Sequence, residues 1–197
     1  MSALPTDGNH ARPLVLLDVD GVLNAVSRDP DETAWQDWRT GAATARGRSW
    51  RVLWSPSVVQ AVHGWLEVAE VQWLTTWGHE ANDTLRDLLG LPELPVAGTD
   101  DGGGAPSRTA QAEALADVTP AAPDALTGTW WKLDVARGIV AAQPGRRIAW
   151  LDDDLVGRDE ARAWMTTATD ALCVAPRAQT GLRPDDLEVI GWWLRRG

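Results

Sequence analysis

The chain has 197 residues, a formal net charge of −10 at pH 7 and 44% hydrophobic residues, enough for one α/β domain with insertions and a real core. No basic cluster is longer than Arg195-Arg196, which counts against tight non-specific nucleic-acid binding, a process that runs on Lys and Arg contacts to phosphate. No apolar stretch approaches the ~20 residues of a membrane span, no apolar signal core opens the chain, and the single Cys173 cannot form an internal disulfide; these features together fit a reducing, cytoplasmic setting without membrane contact.

Residues 1–12 read as a loose N-terminal tail. Leu14 to Leu17 is an apolar run closed by Asp18-Val19-Asp20-Gly21, the pattern of a buried strand ending in a turn. Residues 25–54 form an insertion with four Trp, namely Trp35, Trp38, Trp50 and Trp54, and two extended pieces near 35–39 and 49–54 predict a hairpin flap. Ser55-Pro56 is a helix start, N-cap then N1, and Val58, Val59, Val62, Trp65 and Leu66 carry that helix to about Val68. Glu70 to Thr75 is a second strand ending in Thr75-Thr76. A helix from about Glu80 to Leu89 closes at Gly90, and Leu94 to Ala97 forms a short third strand.

Residues 98–128 are rich in Gly, Ala, Pro, Ser and Thr and read as a long loop, with a helical piece around Gln111 to Ala116. A helix from about Trp130 to Ala142 carries Lys132. Arg147 to Leu151 is a strand ending in Asp152-Asp153-Asp154. A helix near Asp159 to Thr166 and a strand near Ala171 to Val174, with Cys173 as a core residue, come next. The last helix has Pro184 at N1, acids in its first turn and Arg195-Arg196 in its last. Strands alternating with helices predict a parallel sheet covered on both faces.

Residues i and i+2 of an extended stretch point the same way, so Asp18 and Asp20 can face one site at a strand's carboxyl end, where α/β sheets collect chemistry. Two carboxylates in one small site are tolerable when a hard cation lies between them or one stays protonated. A calcium loop would need oxygen ligands just downstream, and Val22, Leu23 and Ala25 offer none. The chain has thirteen Trp and neither Phe nor Tyr, so most Trp belong in the core, the insertion being the exception. It has Arg almost everywhere and a single Lys. One retained Lys marks a position that needs a compact ammonium. Taken singly, Thr75 and Thr76 suit a strand, and the Asp152–Asp154 run suits a solvated helix start; their order along the chain is what gives them meaning.

That order, Asp-x-Asp, then Thr, then Lys, then an acidic run, resembles the haloacid dehalogenase-like (HAD) superfamily. The stretches LDVDGVLN, VQWLTTWGHEAN and IAWLDDDL resemble the HAD-like domain of Swiss-army-knife RNA repair proteins and related actinobacterial proteins, over about residues 13 to 195. The resemblance implies one Rossmann-like α/β domain, residues 13–197, with a central parallel sheet, helices on both faces and a small flap or cap at 25–54. It implies a Mg²⁺-dependent phosphatase working through an aspartyl-phosphate. Asp18 is then the nucleophile and a metal ligand. Asp20 is the acid and base, with its main-chain carbonyl on the metal. Thr75, or its neighbour Thr76, holds a phosphoryl oxygen. Lys132 serves both the nucleophile and the phosphoryl group. Asp153 is the preferred metal ligand of the last strand, with Asp152 in support and Asp154 as the alternative. His79 and Trp50 are candidate substrate contacts.

Dehalogenase chemistry is disfavoured, because that branch lacks the second motif-I Asp. A catalytically silent binding domain is disfavoured too, since no catalytic carboxylate is missing. The small cap leaves the site open to large substrates, a nucleic-acid end handled with repair partners among them. The chain lacks the positive charge to hold a long polyanion, so a small-molecule phosphomonoester is the favoured substrate and the nucleic-acid end the alternative.

Overall fold

The computed structural model describes residues 11–98, 130–168 and 170–196. The first ten residues of the expected tail, the expected loop beyond Gly98 and its helical piece lie outside the described residues. Six strands are described: β1 Leu14–Leu17, β2 Arg39–Ala45, β3 Arg48–Trp54, β4 Glu70–Trp73, β5 Ile148–Leu151 and β6 Ala171–Val174. The α-helices are α1 Pro56–Val68, α2 Thr84–Leu89, α3 Trp131–Ala142, α4 Asp159–Thr167 and α5 Pro184–Arg195.

The central sheet is parallel in the order β4-β1-β5-β6. Both faces of its inner strands are buried, which is why they read as unbroken apolar runs rather than alternating ones. Val15, Leu17, Ala149 and Leu151 pack with Val58, Val62 and Trp65 of α1 and Ile190 and Trp193 of α5. Leu14, Leu16, Ile148 and Trp150 pack with Leu133 and Ala136 of α3 and Ala161 and Met165 of α4. The chain leaves β1 for β4 on one side and reaches β5 on the other. The carboxyl end of β1 is therefore the point where the strand order reverses, the usual place for a ligand in such sheets.

The capping signals act as the sequence predicts for α1 and α5. The Ser55 side chain accepts from Ser57 N at 3.1 Å, and Asp186 accepts from Arg183 N at 2.9 Å. Elsewhere the elements differ from expectation. The second strand stops at Trp73, two residues early. Leu94–Ala97 makes only a single bridge, Val96 to Trp73, because Pro95 has no N–H to offer a ladder. The helix expected over Glu80–Leu89 is a 3₁₀ turn, Gly78–Asn82, followed by α2. The break comes at Asn82, whose amide is taken by the sheet edge: it accepts from Trp73 Nε1 at 2.9 Å and Leu94 N at 3.0 Å, and donates to Leu94 O at 2.7 Å. Cys173 is only half-buried.

The insertion does form a hairpin, but its first strand is β2, C-terminal to the expected 35–39. Residues 35–38 are coil pinned by their indoles: Trp35 Nε1 donates to Leu182 O at 2.8 Å and Trp38 Nε1 to Asp31 O at 3.1 Å. The two-residue turn is Arg46-Gly47, with φ of 51° and 66°, the left-handed pair that matches strand twist. Ala43, Ala45, Val52 and Trp54 fold inward onto the core, and Thr84 and Glu80 tie the hairpin down by accepting from Thr44 N (2.6 Å) and Arg46 N (2.9 Å).

Gly181 fastens the C-terminal part of the chain to the turn after β1. Its φ is +68°, and a Cβ there would lie 2.5 Å from Val22 O, next to the hydrogen bond from Leu182 N to the same oxygen at 3.0 Å. Gly181→Ala is expected to cost about 2–3 kcal/mol. Gly90→Ala shares a positive φ but meets nothing within 4 Å, and is expected to cost only about 1 kcal/mol. Urea unfolding midpoints of the two variants check the difference; equal shifts would show that the Val22 contact is not a tight one.

Candidate functional site

Strand register places the key residues. Leu17 pairs with Leu151 and Trp73, so the residues just after each strand emerge together. Asp18 N donates to Leu151 O at 3.0 Å, Leu74 N to Leu17 O at 2.9 Å, and Asp152 N to Val174 O at 3.1 Å. Asp18 and Asp152 are thus side by side at one end of the sheet, both buried, at 5% and 0% exposure.

Lys132 reaches them from the first turn of α3. Its Nζ donates to Asp18 Oδ2 at 2.5 Å and to Asp152 Oδ2 at 2.7 Å, and the residue is only 2% exposed. The rings of Trp130 and Trp131 lie 5.6 and 6.0 Å from Nζ, and Trp130 stacks on Trp150 at 5.1 Å between centroids. Burial alone would lower the Lys132 pKa, but Asp18 and Asp152 raise it above the ordinary value, so the ammonium stays charged.

Asp152 is spent on this arrangement. Besides Lys132 it accepts from Asp154 N at 3.0 Å and Trp150 Nε1 at 3.3 Å. Burial and the neighbouring Asp18 push its pKa up, against Lys132. Asp153 is half-buried, and burial and Asp18 push it up to about 6. Its position depends on Gly21, which has φ +73° and whose missing Cβ would overlap the Asp153 carboxylate. Among the described residues, Asp18, Asp152 and Asp153 bring one carboxylate oxygen each within 4.8 Å of one another. One ammonium does not offset three carboxylates, and burial first, with Asp18 beside them, raises both Asp152 and Asp153. With Asp152 engaged by Lys132, the hard oxygens of Asp18 and Asp153 are the donors that fit a small divalent cation.

Asp20 lies apart from this cluster. The chain is not extended through Val19: the amides of Leu23 and Asn24 both donate to Val19 O at 2.9 Å, and the turn swings the Asp20 carboxylate outward. Asn24 Nδ2 donates to its Oδ1 at 2.6 Å and Trp77 Nε1 to its Oδ2 at 2.9 Å. Asn24 is itself held, accepting from Leu53 N of the hairpin at 2.8 Å. Thr75 is buried, and its Oγ1 accepts from Trp77 N at 3.3 Å; Thr76 is exposed.

Asp20, Asn24, Trp50, Thr76 and Trp77 line a cavity of about 550 Å³, together with Arg28, Arg46 and Arg51. His79 is not in that lining. The fold therefore assembles buried Asp18, Lys132 and Asp152 with half-buried Asp153 in an inner cluster, with Asp20 at the junction to an outer cavity that holds Thr76 and Trp50. Sequence reasoning passes over Asn24, Trp77 and the arginines. Asn24 meets Asp20 across a turn, whereas Trp77 reaches it from 57 residues away. The signal for Arg46 and Arg51 was available, since Arg39 to Trp54 holds four Arg and no acid; Arg28 lies outside that run.

No helix among the described residues is long and apolar enough to cross a membrane. No curated protein and no solved structure matches the chain. A family model does match, over residues 14–187, from the first residue of β1 into α5, and so spans every element that builds the site. The chain belongs to the family described as the HAD domain in Swiss Army Knife RNA repair proteins.

Proposed function

We propose that the protein is a metal-dependent phosphatase that hydrolyses a phosphomonoester through an aspartyl-phosphate on Asp18. The observation that carries this reading is the Lys132 ammonium, held in a water-poor site between Asp18 and Asp152, partners 114 and 20 residues away in the chain. A compact cation against a buried carboxylate suits a nucleophile that must meet an anionic phosphoryl group. The family description adds RNA repair, which brings a phosphorylated nucleic-acid end into the same reading beside a small phosphomonoester.

In this reading an Asp18 carboxylate oxygen bonds to phosphorus as the ester oxygen departs with its electron pair. Asp20 gives that oxygen a proton. Each Asp20 oxygen accepts one hydrogen bond in the structure, from Asn24 or Trp77, so each keeps a lone pair for a further partner. Asp20 then takes a proton from water, whose oxygen bonds to phosphorus as the Asp18–phosphorus link breaks. The Thr75 hydroxyl, an acceptor for Trp77 N, keeps its own hydrogen for a phosphoryl oxygen; Thr76, exposed on the cavity wall, is the alternative. Asp18, Asp153 and the Asp20 carbonyl would hold Mg²⁺, which when bound would offset the charge of the carboxylates and phosphoryl oxygens. Asp152 acts as the support that positions Lys132. The 25–54 insertion forms a small cap over the leaving group within a 13–197 domain, and His79, outside the cavity lining, keeps no more than a peripheral substrate role. The single cysteine and lack of a described membrane-spanning helix support a cytoplasmic setting.

Asp18→Asn is expected to lower turnover at least ~10³-fold while leaving the fold intact, since a neutral amide cannot attack phosphorus. A p-nitrophenyl phosphate assay with circular dichroism checks both; near wild-type turnover in a folded variant would remove Asp18 as nucleophile. Lys132→Arg is expected to fall nearly as far as Lys132→Ala, because a planar guanidinium does not fit between Asp18 and Asp152. Full activity in Lys132→Arg would make Lys132 a structural residue only. Asp153→Asn is expected to raise the Mg²⁺ concentration for half-maximal activity about tenfold or more, by analogy with other ligand-shell losses. An unchanged Mg²⁺ requirement would move that role to Asp152 or Asp154.

A further inference from the structure

Positive charge is unevenly placed in this acidic protein. The segment from Arg39 to Trp54 has four arginines and no Asp or Glu, against −10 for the whole chain. Among the described residues, Arg28, Arg39, Arg46, Arg48 and Arg51 have no carboxylate within 4.0 Å of their guanidinium groups, whereas most other basic residues are paired. Charged side chains on an exposed hairpin also blunt its edges against aggregation. That account does not explain why three of the five line one cavity with Asp20 in its wall.

The cavity is held ready by contacts within the chain. Arg51 Nη1 donates to Ser27 O at 2.7 Å and its Nη2 to Arg28 O at 3.3 Å and Thr40 Oγ1 at 3.5 Å, while Arg46 Nη2 donates to Thr76 O at 2.8 Å. A guanidinium has five N–H donors, so both keep donors free. Trp50 is fixed by its Nε1 bond to Ala45 O at 3.2 Å yet stays 45% exposed. Arg48 lies 5.5 Å from its ring centroid. An anchored, exposed indole beside guanidinium groups that no carboxylate neutralises suits a flat ring and a phosphate in one molecule.

We propose that this cavity is a second anion subsite: the substrate's leaving group carries a further phosphate, taken by Arg28, Arg46 and Arg51, and a planar base set against Trp50. The proposal rests on the phosphatase reading of the adjoining site. It gives an acidic protein a way to hold a polyanionic leaving group, using local rather than overall charge. The second phosphate is supplied either by a nucleoside bisphosphate or by the first diester of a phosphorylated oligonucleotide end.

The test compares kcat/KM for p-nitrophenyl phosphate, nucleoside 3′- and 5′-monophosphates, a nucleoside 3′,5′-bisphosphate and 3′- and 5′-phosphorylated trinucleotides. Substrates with two phosphates are expected to exceed the monophosphates by about tenfold or more, mainly through KM. Arg28→Gln and Arg46→Gln are each expected to shrink that preference about three- to tenfold, while Arg137→Gln, on α3, leaves it unchanged. A trinucleotide favoured over the bisphosphate, with loss at high salt, identifies the nucleic-acid end as the source; the reverse identifies the bisphosphate. Calorimetric binding of the bisphosphate to Asp18→Asn separates the two readings. Arg28-dependent binding with no turnover by the wild-type protein upholds the subsite and sinks the phosphatase. Equal kcat/KM for one- and two-phosphate substrates, unaltered by Arg28→Gln and Arg46→Gln, overturns the subsite and leaves the phosphatase standing.

Discussion

The structure depends on one buried ammonium. Lys132 is nearly sealed from solvent and bonded to two carboxylates that are themselves buried. Taking three charges out of water is costly, and losing one partner of such a group typically costs about 3–5 kcal/mol because the others are left uncompensated. The group is therefore a poor way to stabilise a fold and a good reason to look for chemistry. It also ties the topology together. Asp18 follows β1, Asp152 follows β5, and Lys132 opens α3. Only adjacent parallel strands in the observed register, with α3 laid across that face, bring the three atoms within hydrogen-bond reach.

Around that ammonium the fold separates two electrostatic regions. The inner one is acidic and largely buried. Asp18, Asp152 and Asp153 crowd together, the missing side chain of Gly21 lets Asp153 approach, and burial holds its carboxyl up to about 6. The outer one is basic and open, walled by hairpin and loop arginines. Asp20 is the link, bonded to Asn24 on the hairpin side and to Trp77 on the β4 side. In the proposed reaction, phosphoryl chemistry belongs to the inner region and leaving-group recognition to the outer one. Separate regions let each be tuned without disturbing the other.

Much of this was legible where the signal is local. The apolar run before Asp18, the Ser55-Pro56 start of α1, and Pro184 with its acids at α5 all act through residues within a turn of one another. The lone Lys was informative for a different reason: in an Arg-rich chain a residue that departs from the habit marks a constraint. Reading was weaker where distant partners decide. Residues 35–38, expected as an extended piece, are coil, since the Trp35 indole is claimed by Leu182 O, 147 residues on. The helix before Gly90 is broken because Asn82 bonds the sheet edge. His79 follows the Thr75-Thr76 stretch closely in sequence yet stays out of the cavity lining.

By itself the sequence determined the α/β class, the strand ends that carry Asp18 and Asp152, and the order of Asp, Thr, Lys and acidic run, because burial periodicity, capping and turn chemistry act over a few residues. Tertiary structure alone decided that Lys132 bridges Asp18 and Asp152, that Asp20 turns outward to Asn24 and Trp77, and that scattered arginines meet at one cavity beside it. Those outcomes depend on strand register and on which face each helix covers. They are set by the packing of whole elements, which no local pattern contains.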